Sequence, residues 1–450
     1  MPQDQPQDRP SALLIGTDAY AMRACLRNGI TPYVVHGPHL NDWGYLTLPD
    51  GAVGVFAEDP TSIESILLAL RRTGAADHPF RFLQTSDEEA LVTAAALARI
   101  LGLPTAVDAD TAPNFRDKWL QKQLVAAAGL DVGGSWVIED IHHLDPSAVP
   151  EFDQAVLKPI AGAGTRNTSV VRGRGDLIAT CAEYRRRGVP QRTFVLEEFT
   201  PGEEWMADGV VFDGELRFLS VGTYLEPCLT AVDANRVLQL ERFDPTEDAP
   251  AFALARPVVA AALRALGLRQ GVFHMELFHQ PDTGRLLFGE CGARTGGGLI
   301  SESVEFKFGV DLGEAAIRCA EGIDPDLKPS VRPESVSTLF LANRPGILVG
   351  YPSPDEIRAL PGVEHVRLDL PYGFRTGDAV EDTTQGVGQV MLSGRTREEV
   401  GSRREFLTRW FDERLVVVPA HATYPELRGW QQANWPGTAS TFRTYAAPEA

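Results

Sequence analysis

The stretch GVFHMELFHQPDTGRLLFGECGARTGGG, from Gly271 to Gly298, constrains the fold of this chain more than any other. Two apolar runs flank the turn Pro281-Asp282-Thr283-Gly284, so the segment reads as two antiparallel β-strands. Each strand delivers one carboxylate, Glu276 and Glu290, and the second strand runs into Arg294 and three consecutive glycines. Two carboxylates side by side, with an arginine beyond, suit Mg²⁺ and phosphate oxygens, because hard cations prefer oxygen ligands. An ordinary exposed hairpin has the same pattern. Residues upstream must separate the two readings.

At 450 residues the chain has room for two to four domains, each with its own core. Its formal charge of −19 argues against a nucleic-acid partner, since a phosphate backbone repels carboxylates. A local basic pocket for a small anion stays open. Cys25, Cys181, Cys228, Cys291 and Cys319 are odd in number, scattered, and form no Cys-x-x-Cys. A disulfide framework or zinc site is therefore not expected, and a reducing cytoplasm is the simplest home. The opening residues MPQDQPQDRP lack a signal-peptide core and read as a disordered tail over residues 1–10. No apolar run is expected to reach the length of a membrane span.

Strands at Ala12–Ile15, Tyr33–Val35 and Phe82–Thr85 alternate with helical patterns through Met22 and Leu26, at Ile63–Leu70 and at Glu88–Leu101. Such alternation predicts βαβ units and a parallel sheet. Gly16-Thr17-Asp18 is too short for a dinucleotide fingerprint, and Asp18 reads better as a helix cap. From Asn114 the pattern changes. Phe115–Ala128 reads as a helix carrying Lys118 and Lys122, and Asp213-Gly214 marks a further hairpin between Met206–Phe212 and Leu216–Val221. Arg256–Leu268 reads as the helix that leads into the Gly271 hairpin. Pro325, Pro329 and Pro333 mark a boundary, beyond which strands at Ser337–Leu341, Ile347–Val349 and Gln389–Leu392 and a helix at Arg397–Trp410 are expected. The tail after Pro425 is expected to wrap irregularly over the surface.

Upstream of the hairpin lies Leu157-Lys158-Pro159-Ile160-Ala161-Gly162-Ala163-Gly164-Thr165, with Arg166 next. A strand-end lysine can neutralise phosphate while glycine N–H groups approach its oxygens. A plain turn with a surface lysine fits equally well. Val195-Leu196-Glu197-Glu198-Phe199, followed by Gly202-Glu203-Glu204, can present backbone edges to adenine and a carboxylate to ribose hydroxyls. By itself it is more simply a solvated acidic strand end, and Lys118 alone more simply a solvated helix lysine. His274 and Cys291 read first as buried packing residues.

Taken in order, the helix lysine, the strand lysine with its glycine loop, the acidic-aromatic strand end and the paired carboxylates with Arg294 resemble the ATP-grasp superfamily. The resemblance runs from about Asn114 to Asp324. It implies an α/β and α+β molecule: an N-terminal βαβ domain (11–113), an ATP-grasp domain (114–330) and a C-terminal α+β extension (331–450). It also implies ATP and Mg²⁺ as cofactors. Lys118 and Lys158 would contact ATP phosphates under a flap containing Gly162, Gly164 and Thr165. Glu197, Glu198 and Phe199 would surround the adenine, and Glu204 would hold the ribose. Glu276 and Glu290 would bind Mg²⁺. Arg294 would face the transferring phosphoryl group or acyl phosphate, making it and Lys158 the catalytic pair.

One departure stands out. Many members carry Glu-x-Asn-x-Arg in the last strand, with the asparagine on the metal, whereas here Gly292 holds that position. The Glu-x-x-x-Arg-x-Gly-Gly-Gly form resembles a branch of amino-acid and peptide ligases. The implied activity is ATP-dependent carboxylate–amine ligation of small-molecule acids and amines, with no nucleic acid and no membrane, and a homodimer as a superfamily-level expectation. A purine-pathway type of ligase and a catalytically silent ATP-binding protein are the alternatives.

Overall fold

The computed structural model describes residues 9–38, 48–234, 236–377 and 386–434. Most of the expected N-terminal tail and the end of the expected C-terminal wrap lie outside these residues.

The first strands, β1 (Ser11–Ile15), β2 (Thr31–His36), β3 (Val53–Phe56) and β4 (Phe80–Thr85), form a parallel sheet in the order β3-β2-β1-β4. β1 is buried along its whole length, as a central parallel strand covered on both faces must be. Helix α1 (Ala19–Arg27) links β1 to β2 and α2 (Ile63–Arg72) links β3 to β4, while α3 (Leu91–Leu101) follows β4. Asp18 caps α1 by accepting from the N–H groups of Tyr20 at 2.8 Å and Ala21 at 3.1 Å. β3, which the sequence reading missed, is four residues long and buries only Val55. α3 starts later than expected, which leaves Glu88 in the loop that follows β4.

The expected helix from Phe115 is split. A 3₁₀ turn covers Ala112–Phe115, and α4 (Lys118–Ala127) starts afresh on Asp117, whose carboxylate accepts from the Leu120 N–H. Next, β5 (Ser135–Ile138), β6 (Ala155–Pro159), β7 (Ser169–Val171) and β8 (Phe194–Glu198) form a small antiparallel sheet backed by α5 (Gly173–Arg186).

The largest sheet begins with β9 (Glu203–Phe212), β10 (Glu215–Tyr224), β11 (Gln239–Arg242), β12 (Gly271–Gln280) and β13 (Arg285–Gly292). Asp213 and Gly214 both take positive φ, 53° and 76°, as a two-residue type I′ turn requires. Helices α6 (Cys228–Asp233), α7 (Ala249–Leu266), α8 (Ile300–Phe308) and α9 (Leu312–Ala320) accompany these strands. Beyond the proline-rich segment come β14 (Ser335–Leu341), β15 (Gly346–Gly350), β16 (Val363–Leu368), β17 (Arg375–Thr376), β18 (Gly388–Gly394) and β19 (Val416–Val418). Among the described residues the sheet order is β13-β12-β9-β10-β11-β14-β18-β16, so the large sheet joins strands from both sides of the proline-rich segment. The C-terminal region adds helices α10 (Pro354–Arg358), α11 (Arg397–Asp412) and α12 (Tyr424–Asn434).

Two expectations are corrected. The chain after Pro425 is helical in α12, because Leu427 buries itself against Ile347 and Val349 of β15. By length and composition alone, α7 is also long and apolar enough to cross a membrane. It carries Arg256, Pro257 and Arg264, however, and packs Val259, Ala262 and Leu266 into the core against β12.

That packing sets up the site. Strand side chains alternate between faces. Phe273, Met275 and Leu277 point into the core beneath α7, so His274, Glu276 and Phe278 point the other way, into a cavity.

Candidate active site

The cavity, of about 580 Å³, lies between the small antiparallel sheet and the large one. Lys118, Lys158, Gly162, Gly164, Thr165, Glu197, Glu198, Phe199, Glu204, Glu276, Glu290 and Arg294 all line it. Residues chosen from separate stretches of sequence therefore share one space.

At its centre, Glu276 and Glu290 sit directly opposite each other in the β12–β13 register. Lys118 Nζ donates to Glu290 Oε2 at 2.6 Å, and Lys158 Nζ reaches the same oxygen at 3.2 Å. Lys158 also lies 3.1 Å from Glu197 Oε2, while Lys122 lies 3.5 Å from that atom and donates to the Phe288 carbonyl at 3.1 Å. Three lysines and two carboxylates thus form one buried lattice. The lysines are placed by a helix start and a strand end that are tied together, since Lys118 N–H donates to the Ile160 carbonyl at 2.9 Å.

Charge is distributed unevenly within the lattice. Burial pushes the Glu290 carboxyl up, but Lys118 and Lys158 outweigh it and hold Glu290 well below the usual carboxylate range. Glu276 Oε1 lies 4.0 Å from His274 Nε2, and Lys118 and Lys158 act on it less strongly. Burial, then the charges of Glu290 and Glu204, push it well above the usual range. Burial pulls the Lys158 ammonium down, yet Glu197, Glu290 and Glu276 more than compensate and keep it protonated. Lys122 goes the other way: burial dominates and lowers it.

This donor set fits a divalent cation. Two half-buried carboxylates facing one another repel, and a hard cation between them removes the repulsion. Among the described residues no group of three or more His, Cys, Asp or Glu side chains is arranged to hold a metal unaided. The donor set for polyphosphate is also present, in Lys118, Lys158 and the loop after β6. Gly164 and Thr165 of that loop adopt positive φ of 63° and 61°.

The carboxylates of the acidic strand end have different surroundings. The Glu197 carboxylate faces the lysines, and its Oε1 is buried without a hydrogen-bond partner. Glu198 is exposed, and its Oε2 accepts from the Gly134 N–H at 3.3 Å. Glu204 is buried and accepts from the Cys228 N–H at 2.8 Å. Arg166, exposed, pairs with Glu89, and Glu226 pairs with Arg236 at the surface.

Sequence reasoning missed Glu88. It accepts from Arg294 Nε at 2.8 Å and from Arg116 Nη1 at 2.9 Å, and it lines the cavity. A signal existed: Glu88 follows the last parallel strand, and open parallel sheets bind ligands beyond the carboxyl ends of their strands. Also missed was the buried chain from His274 through Asp208 to Arg242. His274 Nδ1 and Arg242 Nη1 each lie 2.7 Å from Asp208, and Arg242 Nε donates to Ser303 at 2.9 Å. His274 is thus buried, as expected, and also faces the cavity. Cys291 is a buried thiol that burial pushes well above its ordinary pKa, in keeping with a packing role.

The glycines after Arg294 have separate reasons. A Cβ on Gly296 would lie 2.6 Å from Ile300 Cδ1 and 2.8 Å from His274 Nδ1, so no side chain fits there. Gly298 has φ of 67°, in the left-handed region. Gly297 borders the cavity, and a Cβ there would meet nothing within 4 Å. At Gly292 a Cβ would rest 3.4 Å from Arg294 Cγ.

The crystal structure of an L-amino acid ligase from Bacillus licheniformis superposes with a TM-score of 0.75 at 19% identity, covering 92% of this chain and 100% of that one. The fold is the ATP-grasp fold. The crystal structure of biotin carboxylase from Campylobacter jejuni in a nucleotide complex superposes with a TM-score of 0.65 at 15% identity over 92% of each chain. In sequence, the chain is 23% identical over 327 residues to an L-arginine-specific L-amino acid ligase of Bacillus subtilis. That match spans 72% of this chain and 76% of the relative. No family model matches the chain.

Proposed function

We propose that this ATP-grasp chain is an ATP-dependent carboxylate–amine ligase that joins an amino acid or similar small acid to an amine, releasing ADP and phosphate. The observation that carries the reading is the convergence of Lys118 and Lys158 on Glu290, with Glu276 opposite it, in one cavity. A substrate carboxylate attacks the γ-phosphate of ATP, giving an acyl phosphate and ADP. The amine then displaces phosphate and forms the amide.

Little covalent chemistry falls to the protein in such a scheme; positioning and charge neutralisation dominate phosphoryl transfer. Lys118 and Lys158 would exchange part of their contact with Glu290 for phosphate oxygens. Glu276 and Glu290 would hold Mg²⁺, which when bound would offset the charge of the phosphates. The loop holding Gly162, Gly164 and Thr165 would cover the phosphates and exclude water. Arg294, fixed by Glu88, would meet the acyl phosphate from the opposite side. Glu197, Glu198 and Phe199 would flank the adenine, and Glu204 the ribose.

The test is ADP release from purified protein with Mg-ATP and pooled amino acids and small acids, followed by mass spectrometry of the product. A substrate-dependent amide product is expected. A silent ATP-binding protein is the second reading, favoured by Gly292 standing where the superfamily often has a metal-binding asparagine. Mg-ATP binding without turnover across the panel would select it.

A further inference from the structure

The cavity has two apolar ends separated by its charged centre. Val156, Val170, Phe199 and Phe278 make one end, beside the flap and the strand end assigned to adenine. The other end lies across the large sheet, on the far side of Glu204, where Tyr224, Leu229, Leu238, Leu240 and Phe340 line the space. Tyr224 of β10 pairs with Leu240 of β11 in register, and the Phe340 N–H donates to the Leu238 carbonyl at 3.0 Å. Three neighbouring strands therefore present one continuous wall. Tyr224, Leu238, Leu240 and Phe340 are all buried.

This wall adjoins the reacting end of the site. A Cβ on Gly298 would lie 3.3 Å from Phe340 and 3.6 Å from Leu240, and Gly298 is four residues beyond Arg294. Gly297 and Gly298 thus join the Arg294 end of the cavity to the wall. The carboxylates of Glu276 and Glu204 act on this end from the charged centre. Glu204 takes the Cys228 N–H, Glu226 pairs with Arg236, and Arg242 is held by Asp208 and Ser303. Burial also pushes the Tyr224 phenol and the Cys228 thiol well above their ordinary values, so both are neutral. A charged substrate side chain seated against these apolar groups would lose its water, and an anionic one would also face Glu204 and Glu276, whereas an apolar one would lose only unfavourable hydration.

We infer that the acid activated by this protein carries an apolar side chain, aliphatic or aromatic, seated against Tyr224, Leu229, Leu238, Leu240 and Phe340. The inference rests on the ligase reading and adds the substrate class.

It is tested on the wild-type chain with two readouts across a panel of acids: alanine, 2-aminobutyrate, norvaline, leucine, phenylalanine, glutamate, lysine and arginine. ADP release with Mg-ATP and a fixed amine gives kcat/KM. Calorimetry with a non-hydrolysable ATP analogue bound gives affinity. Each methylene from alanine to norvaline is expected to raise kcat/KM about tenfold, and the charged acids should lie at least about tenfold below leucine. Phe340→Ala should shift the preference from leucine toward phenylalanine by about tenfold, because it opens the wall. Turnover confined to arginine, lysine or glutamate overturns the substrate class and leaves the ligase reading standing. Binding of apolar acids without ADP release upholds the wall and overturns the ligase reading. No apolar acid binding or reacting overturns the inference.

Discussion

Glu88 and Arg294 stand 206 residues apart in sequence, and the Glu88 carboxylate accepts from two nitrogens of the Arg294 guanidinium, Nε at 2.8 Å and Nη2. The pair links the loop after β4 to the end of β13, so the parallel sheet helps to aim the arginine of the candidate site. Burial raises the Glu88 carboxyl, but Arg294, Lys118 and Arg116 outweigh both burial and Glu290 and keep it ionised.

Glu88→Ala should therefore act on chemistry more than on nucleotide binding. Arg294 would keep only its contact with the Thr295 carbonyl and lose its fixed direction. A fall of about 10²-fold in kcat is expected, the size of effect that follows from misplacing a catalytic group by an ångström. ATP affinity by calorimetry should change by less than about threefold. If affinity and kcat fall together, Glu88 acts through the nucleotide and the positioning argument fails.

Glu290→Ala tests the metal assignment. It removes the carboxylate that both Lys118 and Lys158 touch, yet Lys158 keeps Glu197. The fold should survive, as read by circular dichroism, while turnover falls by about 10³-fold, the scale of losing a preorganised electrostatic contact. Chelation of Mg²⁺ in the wild type should give the same loss, reversed by adding the ion back. Near-normal activity in the variant means that Glu290 holds no metal.

Much of this was legible in local sequence because the signals are local. The alternation of Phe273, Met275 and Leu277 with His274, Glu276 and Phe278 determines which face of β12 meets solvent, and the turns at Asp213-Gly214 and Pro281–Gly284 set the register. Those features need no knowledge of the rest of the molecule. Glu88–Arg294 and Asp208–Arg242 are different: each joins residues on separate elements, and nothing near either partner in sequence announces the other. The pairing of the Glu197 carboxylate was not legible for the same reason, since Lys122 and Lys158 approach it from two other elements. α12 was missed because a single anchor, Leu427, decides its docking.

Lys158→Ala tests the phosphate assignment against an exposed control, Arg72→Ala, on α2. A hydrogen bond to a charged group contributes about 1.5–3 kcal/mol, so ATP affinity should fall roughly 10- to 150-fold in the first variant and stay unchanged in the second. Thermal-shift titration with Mg-ATP reads this directly, because a ligand stabilises in proportion to RT ln(1 + [L]/Kd). Equal responses in the two variants would mean that Lys158 does not touch the phosphates.

Asp208 should control acid stability. It is fully buried between Arg242 and His274, each at 2.7 Å. Burial acts to raise its pKa, but Arg242 and then His274 outweigh it, so the folded value lies below the ordinary one. A carboxylate depressed in the folded state stabilises fully above its unfolded pKa of about 3.9, and that stabilisation is lost as pH falls through the folded value. Asp208→Asn leaves Arg242 without its buried counter-charge, which costs about 3–5 kcal/mol at pH 7. Urea unfolding of both forms should show that gap at pH 7 and a progressively smaller one below about pH 4, as the wild type alone takes up the proton. A gap that stays constant from pH 7 to pH 3 would mean that Asp208 does not titrate with unfolding, and the ion pair with Arg242 would not account for its place in the core.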